Sequence, residues 1–180
     1  MGKPGRDNTK GSGAAAPNGG EGLAARVMEG GLDGREIWLG IAVARFNEAI
    51  TRRLLDSALV EARRLGVEGA NVTVVWVPGS LELATAARAL ADLDAVDAVV
   101  CLGCVIRGET DHYDAVVSGA RQGITLVAAS TGLPVIFGVL TCENEQQALA
   151  RSEAGGERDT GAYAVRAAVE MANLLKRIGP

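Results

Sequence analysis

From Glu36 onward the chain alternates short β-branched apolar runs with longer stretches whose apolar residues recur at helical spacing. That alternation restricts the fold more than any other feature, because strands joined through helices build a parallel sheet covered on both faces. Strands are expected at Ile37 to Val43, Val72 to Val77, Ala98 to Val105 and Pro134 to Leu140. The third is apolar almost throughout, as a strand buried on both faces should be. Helices are expected at Thr51 to Leu65, from Ser80 to about Ala91, from Thr110 to Ser130, at Glu145 to Arg151 and at Thr160 to Arg177. The first carries Leu54, Leu55, Ala58, Leu59 and Ala62 on one face, and the last carries Ala164, Ala167, Ala168, Met171 and Leu174 or Leu175. Gly66 and the pair Gly132 and Pro134 supply stops, and Ser80 is placed to cap its helix. The expected architecture is an α/β class, three-layer α/β/α sandwich around a four-stranded parallel sheet. Ile37 and Trp38 open an N-terminal edge extension able to pair with a neighbour's sheet.

Met1 to Gly31 is rich in Gly, Ala, Pro and Asn and poor in large apolar residues, so it cannot offset the entropy of ordering. It is read as a disordered tail, residues 1–31, ahead of one domain over residues 32–180. No stretch of it resembles a signal-peptide core, which sets the expected location in the cytoplasm. No apolar run approaches the roughly 18 residues of a spanning helix, so no membrane partner is expected. Net charge is −4, and because residues 1–20 carry +2 the remainder carries −6. That balance argues against nucleic acid, and an anionic substrate would have to be held by local groups.

Cys101, Cys104 and Cys142 make no disulfide framework. Cys101 and Cys104 have C-x-x-C spacing, yet they end an apolar strand and do not open the helix N-terminus that activates a redox thiol. Two residues so placed on one strand diverge, which also disfavours a zinc site.

His112 is the one histidine, inside the run Gly103 to Tyr113 that reads as strand, glycine turn and helix start. Such a junction aims backbone N–H groups at one point, where an anion can bind. Imidazole, alone among side chains, ordinarily exchanges protons near neutrality. Ligands of doubly wound sheets bind outside the carboxyl ends of the strands. Arg45 to Asn47, Pro78 to Glu82, the histidine run and Phe137 to Asn144 all fall toward that edge. Phe46 and Phe137 there suit a flat-faced pocket, with core packing a fair alternative for Phe137.

At these four motifs the chain resembles the 6,7-dimethyl-8-ribityllumazine synthases of riboflavin biosynthesis, from about Leu32 to Leu175. Gly-Cys-Val-Ile-Arg-Gly-Glu-Thr-Asp-His-Tyr at 103 to 113 and Pro-Val-Ile-Phe-Gly-Val-Leu-Thr at 134 to 141 carry most of it. Arg-Phe-Asn at 45 to 47 and Val-Pro-Gly-Ser-Leu-Glu at 77 to 82 follow in register. The resemblance implies a flavodoxin-like sheet and a transferase that joins 5-amino-6-(D-ribitylamino)uracil to 3,4-dihydroxy-2-butanone 4-phosphate, the penultimate step of that pathway, with release of phosphate. It implies no metal and no organic cofactor, and a homo-oligomer, pentamer or sixty-subunit shell, whose active sites are shared between neighbours.

By position, Phe46 resembles the residue that stacks on the pyrimidine, beside Asn47. Ser80, Leu81 and Glu82 match the segment that holds the ribityl chain, although Glu82 would also serve as an acid in a first helical turn. Cys104, Val105 and Ile106 match a strand end whose main chain reads the pyrimidine edge. Glu109 and Thr110 match the phosphate-binding turn, with the Glu109 carboxylate turned outward. His112 resembles the proton-transfer residue, Arg151 the arginine that clamps phosphate and Phe137 a pocket residue on the pyrimidine side. Arg107 has no definite part in it.

The chain departs from the family pattern at several positions. Ser152-Glu153 stands where Ala-Gly is common, Thr160 where a lysine is usual, Ala84 replaces a proline and Ala115 an aromatic. These leave a rival reading open, a homologue of reduced or no turnover that binds ligand or forms a cage.

Overall fold

The computed structural model describes residues 25–109 and 111–179. Four parallel strands, β1 (Leu39–Ala44), β2 (Val72–Val77), β3 (Ala98–Ile106) and β4 (Val135–Cys142), form one sheet in the order β2-β1-β3-β4. Helices α1 (Glu48–Arg64), α2 (Leu83–Ala91), α3 (His112–Thr131), α4 (Glu145–Arg151) and α5 (Thr160–Ile178) cover it. The three-layer α/β/α sandwich read from the sequence is the observed one.

Strand alternation divides the core into two halves. Leu39, Ile41 and Val43 of β1 and Val100, Leu102 and Cys104 of β3 face α1, α4 and α5. Ala42 and Ala44 with Val99, Cys101 and Val105 face α2 and α3. The two central strands are buried on both sides, which is why they read as unbroken apolar runs. Cys101 and Cys104 belong to opposite halves, as their spacing predicts. Burial pushes both thiols up to about 12, with Cys142 adding to the effect at Cys104, so neither is a thiolate near neutrality.

The structure alters three readings. Ile37 and Trp38 do not form an edge: they lead into β1, which lies between β2 and β3. Ile37 is buried, and the Trp38 N–H donates to Asp97 Oδ2 at 2.8 Å while its carbonyl accepts from the Asp97 N–H at 2.9 Å. Ser80 does not cap α2 either. It opens a 3-10 turn, Ser80–Glu82, and Glu82 occupies the N-cap without a side-chain hydrogen bond. The chain also begins to pack before Leu32, because the Glu29 carbonyl accepts from Arg177 and the Gly31 carbonyl from Asn173 Nδ2 at 2.8 Å, both on α5. Residues 1–24 of the expected tail lie outside the described residues.

Element ends shift where backbone geometry decides them. The first helix starts at Glu48, three residues before the expected Thr51, because Asn47 takes a left-handed conformation (φ 60°) and turns the chain out of β1. Asp159 opens α5: its Oδ1 accepts from the Ala162 N–H at 3.1 Å and its Oδ2 from the Gly155 N–H at 2.8 Å.

Candidate functional site

After β1 the chain crosses to β2, and after β3 it crosses the other way to β4. The crevice between the carboxyl ends of β1 and β3 is therefore the switch point of the sheet, where open α/β folds take ligands. A cavity of about 440 Å³ lies there, lined by Phe46, Pro78 to Glu82, Cys104 to Ile106, Gly108, His112, Tyr113 and Val116. Small residues open it. Ala44 and Gly103 face the α2 and α3 side, and a Cβ on Gly103 would lie 2.8 Å from Ser80 Oγ. Glycine at 103 is what lets the Ser80–Glu82 turn settle onto β3.

Each wall brings a different chemistry. Phe46 leaves β1 with its N–H donating to the Pro78 carbonyl at 3.0 Å, and its ring is 69 % exposed. An aromatic face held out to solvent by a fixed backbone is ready to stack on a planar ligand. Ser80 is buried, its Oγ lying against Gly103 of β3. Leu81 and Glu82 are exposed, and the Glu82 carboxylate folds back over Gly79. Cys104 and Val105 present a strand end whose side chains are packed away, so main chain is what β3 offers there.

His112 is the first residue of α3, exposed to the cavity. The Asp111 side chain does not cap the helix, so N–H groups of a 20-residue helix open beside the imidazole. A proton donor and acceptor thus stands next to the positive end of a helix dipole.

Eight of the residues singled out in the sequence converge on this cavity: Phe46, Ser80, Leu81, Glu82, Cys104, Val105, Ile106 and His112. Asn47 stands beside it with its amide engaged, Nδ2 donating to the Cys104 carbonyl at 2.9 Å. Glu109 is exposed and away from the lining, and Thr110 lies outside the described residues. Phe137 and Arg151 do not line the cavity of their own chain. Phe137 pairs in register with Cys101, five residues before the Ile106–Cys142 end of the ladder, which at about 3.3 Å per residue is ~16 Å from the carboxyl edge. This differs from the expectation that it sits at that edge. Arg151 ends α4, half-buried, with Nη1 donating to the Gln147 carbonyl at 3.2 Å.

The reading from sequence passed over Gly108, Tyr113 and Val116 as wall residues. Val116 packs against the core beside α2 and also lines the cavity, because a helix that ends at a cavity uses the same face for both. Ser152, one of the departures, is buried and accepts from Arg53 Nε at 3.1 Å, fastening the end of α4 to α1. Among the described residues no group of three or more His, Cys, Asp or Glu is arranged to hold a metal ion. No described helix is long and apolar enough to cross a membrane.

A family model for 6,7-dimethyl-8-ribityllumazine synthase matches residues 36–176, nearly all of the folded region. The chain belongs to the 6,7-dimethyl-8-ribityllumazine synthase family. The match spans all four strands and α1 to α4, and so includes every segment that lines the cavity. It also places the chain in a transferase family of riboflavin biosynthesis whose sheet is flavodoxin-like.

Proposed function

We propose that this protein condenses 5-amino-6-(D-ribitylamino)uracil with 3,4-dihydroxy-2-butanone 4-phosphate, releasing phosphate and forming 6,7-dimethyl-8-ribityllumazine. The observation that carries the reading is the meeting of Phe46, Glu82 and His112 on one cavity within a chain of this family. In it Phe46 stacks on the pyrimidine, the main chain of Cys104 to Ile106 reads its edge, and Ser80 to Glu82 hold the ribityl hydroxyls. A carboxylate accepting hydroxyl hydrogen bonds is a strong partner for such a chain.

The chemistry asks little of the protein beyond placement and proton traffic. The substrate amine is the nucleophile and the ketone the electrophile, so holding the two in contact removes much of the entropic barrier. The amine sheds protons as it adds, and oxygen leaves as water after protonation. His112 is placed to carry those protons, and the N–H groups opening α3 are placed to receive the phosphate.

Among the described residues, no lysine or arginine lines the cavity. A dianionic substrate needs one. This supports a homo-oligomer, a pentamer or a larger shell, in which a neighbour's Arg151 and Phe137 reach the cavity. The exposed Phe46, Leu81 and Phe137 suit coverage by a second subunit. The reaction so read needs neither metal nor organic cofactor and belongs in the cytoplasm.

Mixing the purified protein with both substrates and following lumazine absorbance tests the reading. Product above the uncatalysed rate supports it. Binding of the pyrimidine without product favours instead the ligand-binding or cage-forming homologue to which Glu153 and Thr160 point.

A further inference from the structure

Arg107 follows β3 directly, and its N–H donates to the Cys142 carbonyl at 2.9 Å, continuing the β3–β4 ladder one step. Its guanidinium then turns away from the sheet and meets three groups. Nε lies 3.0 Å from Glu143 Oε2, Nη1 lies 3.4 Å from Asp114 Oδ2, and Cζ sits 4.1 Å from the centre of the Tyr113 ring. Glu143 belongs to the turn after β4, whereas Tyr113 and Asp114 are the two residues after His112 on α3. Arg107 therefore pins the first turn of α3 to the ends of two strands.

The surroundings give that clasp its importance. Between Arg107 and α3, a Cβ at Gly108 would meet nothing within 4 Å, and Glu109 is exposed. Among the described residues, the side-chain hydrogen bonds that join the two ends of this loop all come from Arg107. Tyr113, which carries the guanidinium on its ring, is itself a cavity wall. Ion pairs this exposed add little to stability, so the contact set has a poor claim to be a folding device.

We infer that Arg107 is a positioning residue, which through Tyr113 and Asp114 fixes the first turn of α3 and so aims His112 and the helix N–H groups into the cavity. The inference rests on the proposed condensation for its kinetic consequence, and on geometry alone for its effect on His112. A planar guanidinium does two things at once, stacking on the ring and forking to two carboxylates, whereas lysine can do no more than pair.

The test compares the wild type with Arg107→Ala and Arg107→Lys in the full-length assembly. For Arg107→Ala the expected result is a kcat lowered about tenfold or more, in the manner of a misplaced acid–base group. KM for the pyrimidine should move less than about threefold and Tm stay within a few degrees; Arg107→Lys should recover part of the rate. Because His112 is the one imidazole, its carbethoxylation by diethyl pyrocarbonate, read at 240 nm, reports its placement with no turnover required. A rate constant changed about twofold or more in Arg107→Ala is expected. Unchanged kcat and an unchanged modification rate overturn the inference, as does a rate loss that follows Tm in both variants. An inert wild type in which Arg107→Ala still changes the modification rate overturns the proposed reaction and leaves the positioning role standing.

Discussion

Asn47 Nδ2 donates to the Cys104 carbonyl oxygen at 2.9 Å, joining residues 57 apart across the carboxyl ends of the two central strands. Backbone pairing between β1 and β3 ends at Val43 and Leu102, so this side-chain bond extends the junction past the last ladder pair. Asn47 reaches the carbonyl from a left-handed backbone, φ 60°, and is the one non-glycine residue with positive φ among those described. Asparagine tolerates that region better than most residues because its short polar side chain compensates locally. Phe46, one residue earlier, lines the cavity.

Replacing Asn47 separates the two roles. Asn47→Ala loses the hydrogen bond and keeps the strained backbone, for a cost of about 2 kcal/mol. Asn47→Gly loses the bond alone and should cost about 1 kcal/mol. Urea unfolding of both variants checks the order, and an alanine variant as stable as the glycine one would remove strain from the explanation.

His112→Ala should lower kcat by roughly ten- to a thousandfold, bounded above by the usual contribution of general acid–base catalysis, since substrate contact in the cavity survives. Steady-state kinetics check this. A variant with the wild-type rate would take the imidazole out of the mechanism.

Asp159 predicts how the fold responds to acid. Burial raises its carboxyl, but the Ser57 hydroxyl, whose one hydrogen is shared between the two carboxylate oxygens at 2.5 and 2.6 Å, and the Ala162 and Gly155 N–H groups outweigh that and leave it below the ordinary carboxylate value. A depressed carboxyl contributes stability that is full above its unfolded pKa of about 3.9 and is lost as pH falls through the folded value. Glu61, held down by the hydrogen bond from Arg64 against its burial, acts in the same direction. Stability should therefore fall below about pH 4, and Asp159→Asn should be less stable at neutrality with a shallower decline in acid. Denaturant melts from pH 2 to 7 measure both slopes, and parallel curves for the two proteins would contradict the assignment.

Gly161 lets α5 and α1 touch backbone to backbone. A Cβ there would lie 2.3 Å from the Leu54 carbonyl oxygen and 3.1 Å from the Ala58 nitrogen, both main chain and unable to yield. Gly161→Ala should destabilise by about 1–3 kcal/mol through overpacking, even though alanine is the better helix former. Thermal unfolding reads the effect, and a rise in Tm would show that the helices part freely.

How much of this was legible in the sequence differs from element to element. β2 and α4 appear at the limits their residues announced, because period and punctuation agree there. The convergence of Phe46, Glu82 and His112 was legible too, since topology alone sends those segments to one edge. What stayed hidden depends on angles or on distant partners. Nothing in Arg-Phe-Asn announces φ 60° at Asn47, and Ser57 meets Asp159 across 102 positions. Ile37 and Trp38 resembled an edge because pattern does not tell first in chain from outermost in sheet. Phe137 looked like a residue of the carboxyl edge because β4 runs on to Cys142, beyond the Leu140 its apolar run suggested.

The central claim is that the His112 cavity of one subunit is completed by Arg151 of the next. Arg151→Ala should raise KM for the phosphate substrate far more than for the pyrimidine, and it should be inactive at low concentrations of the former. The most direct measurement co-refolds His112→Ala with Arg151→Ala and assays the mixed assembly under those conditions. Sites pairing an intact histidine with a neighbour's intact arginine should restore roughly a quarter of wild-type activity at an equal mixture, the share expected when each residue is drawn independently from the two pools. Activity no higher than the mean of the two variants alone, in assemblies shown to be mixed, would contradict the shared site.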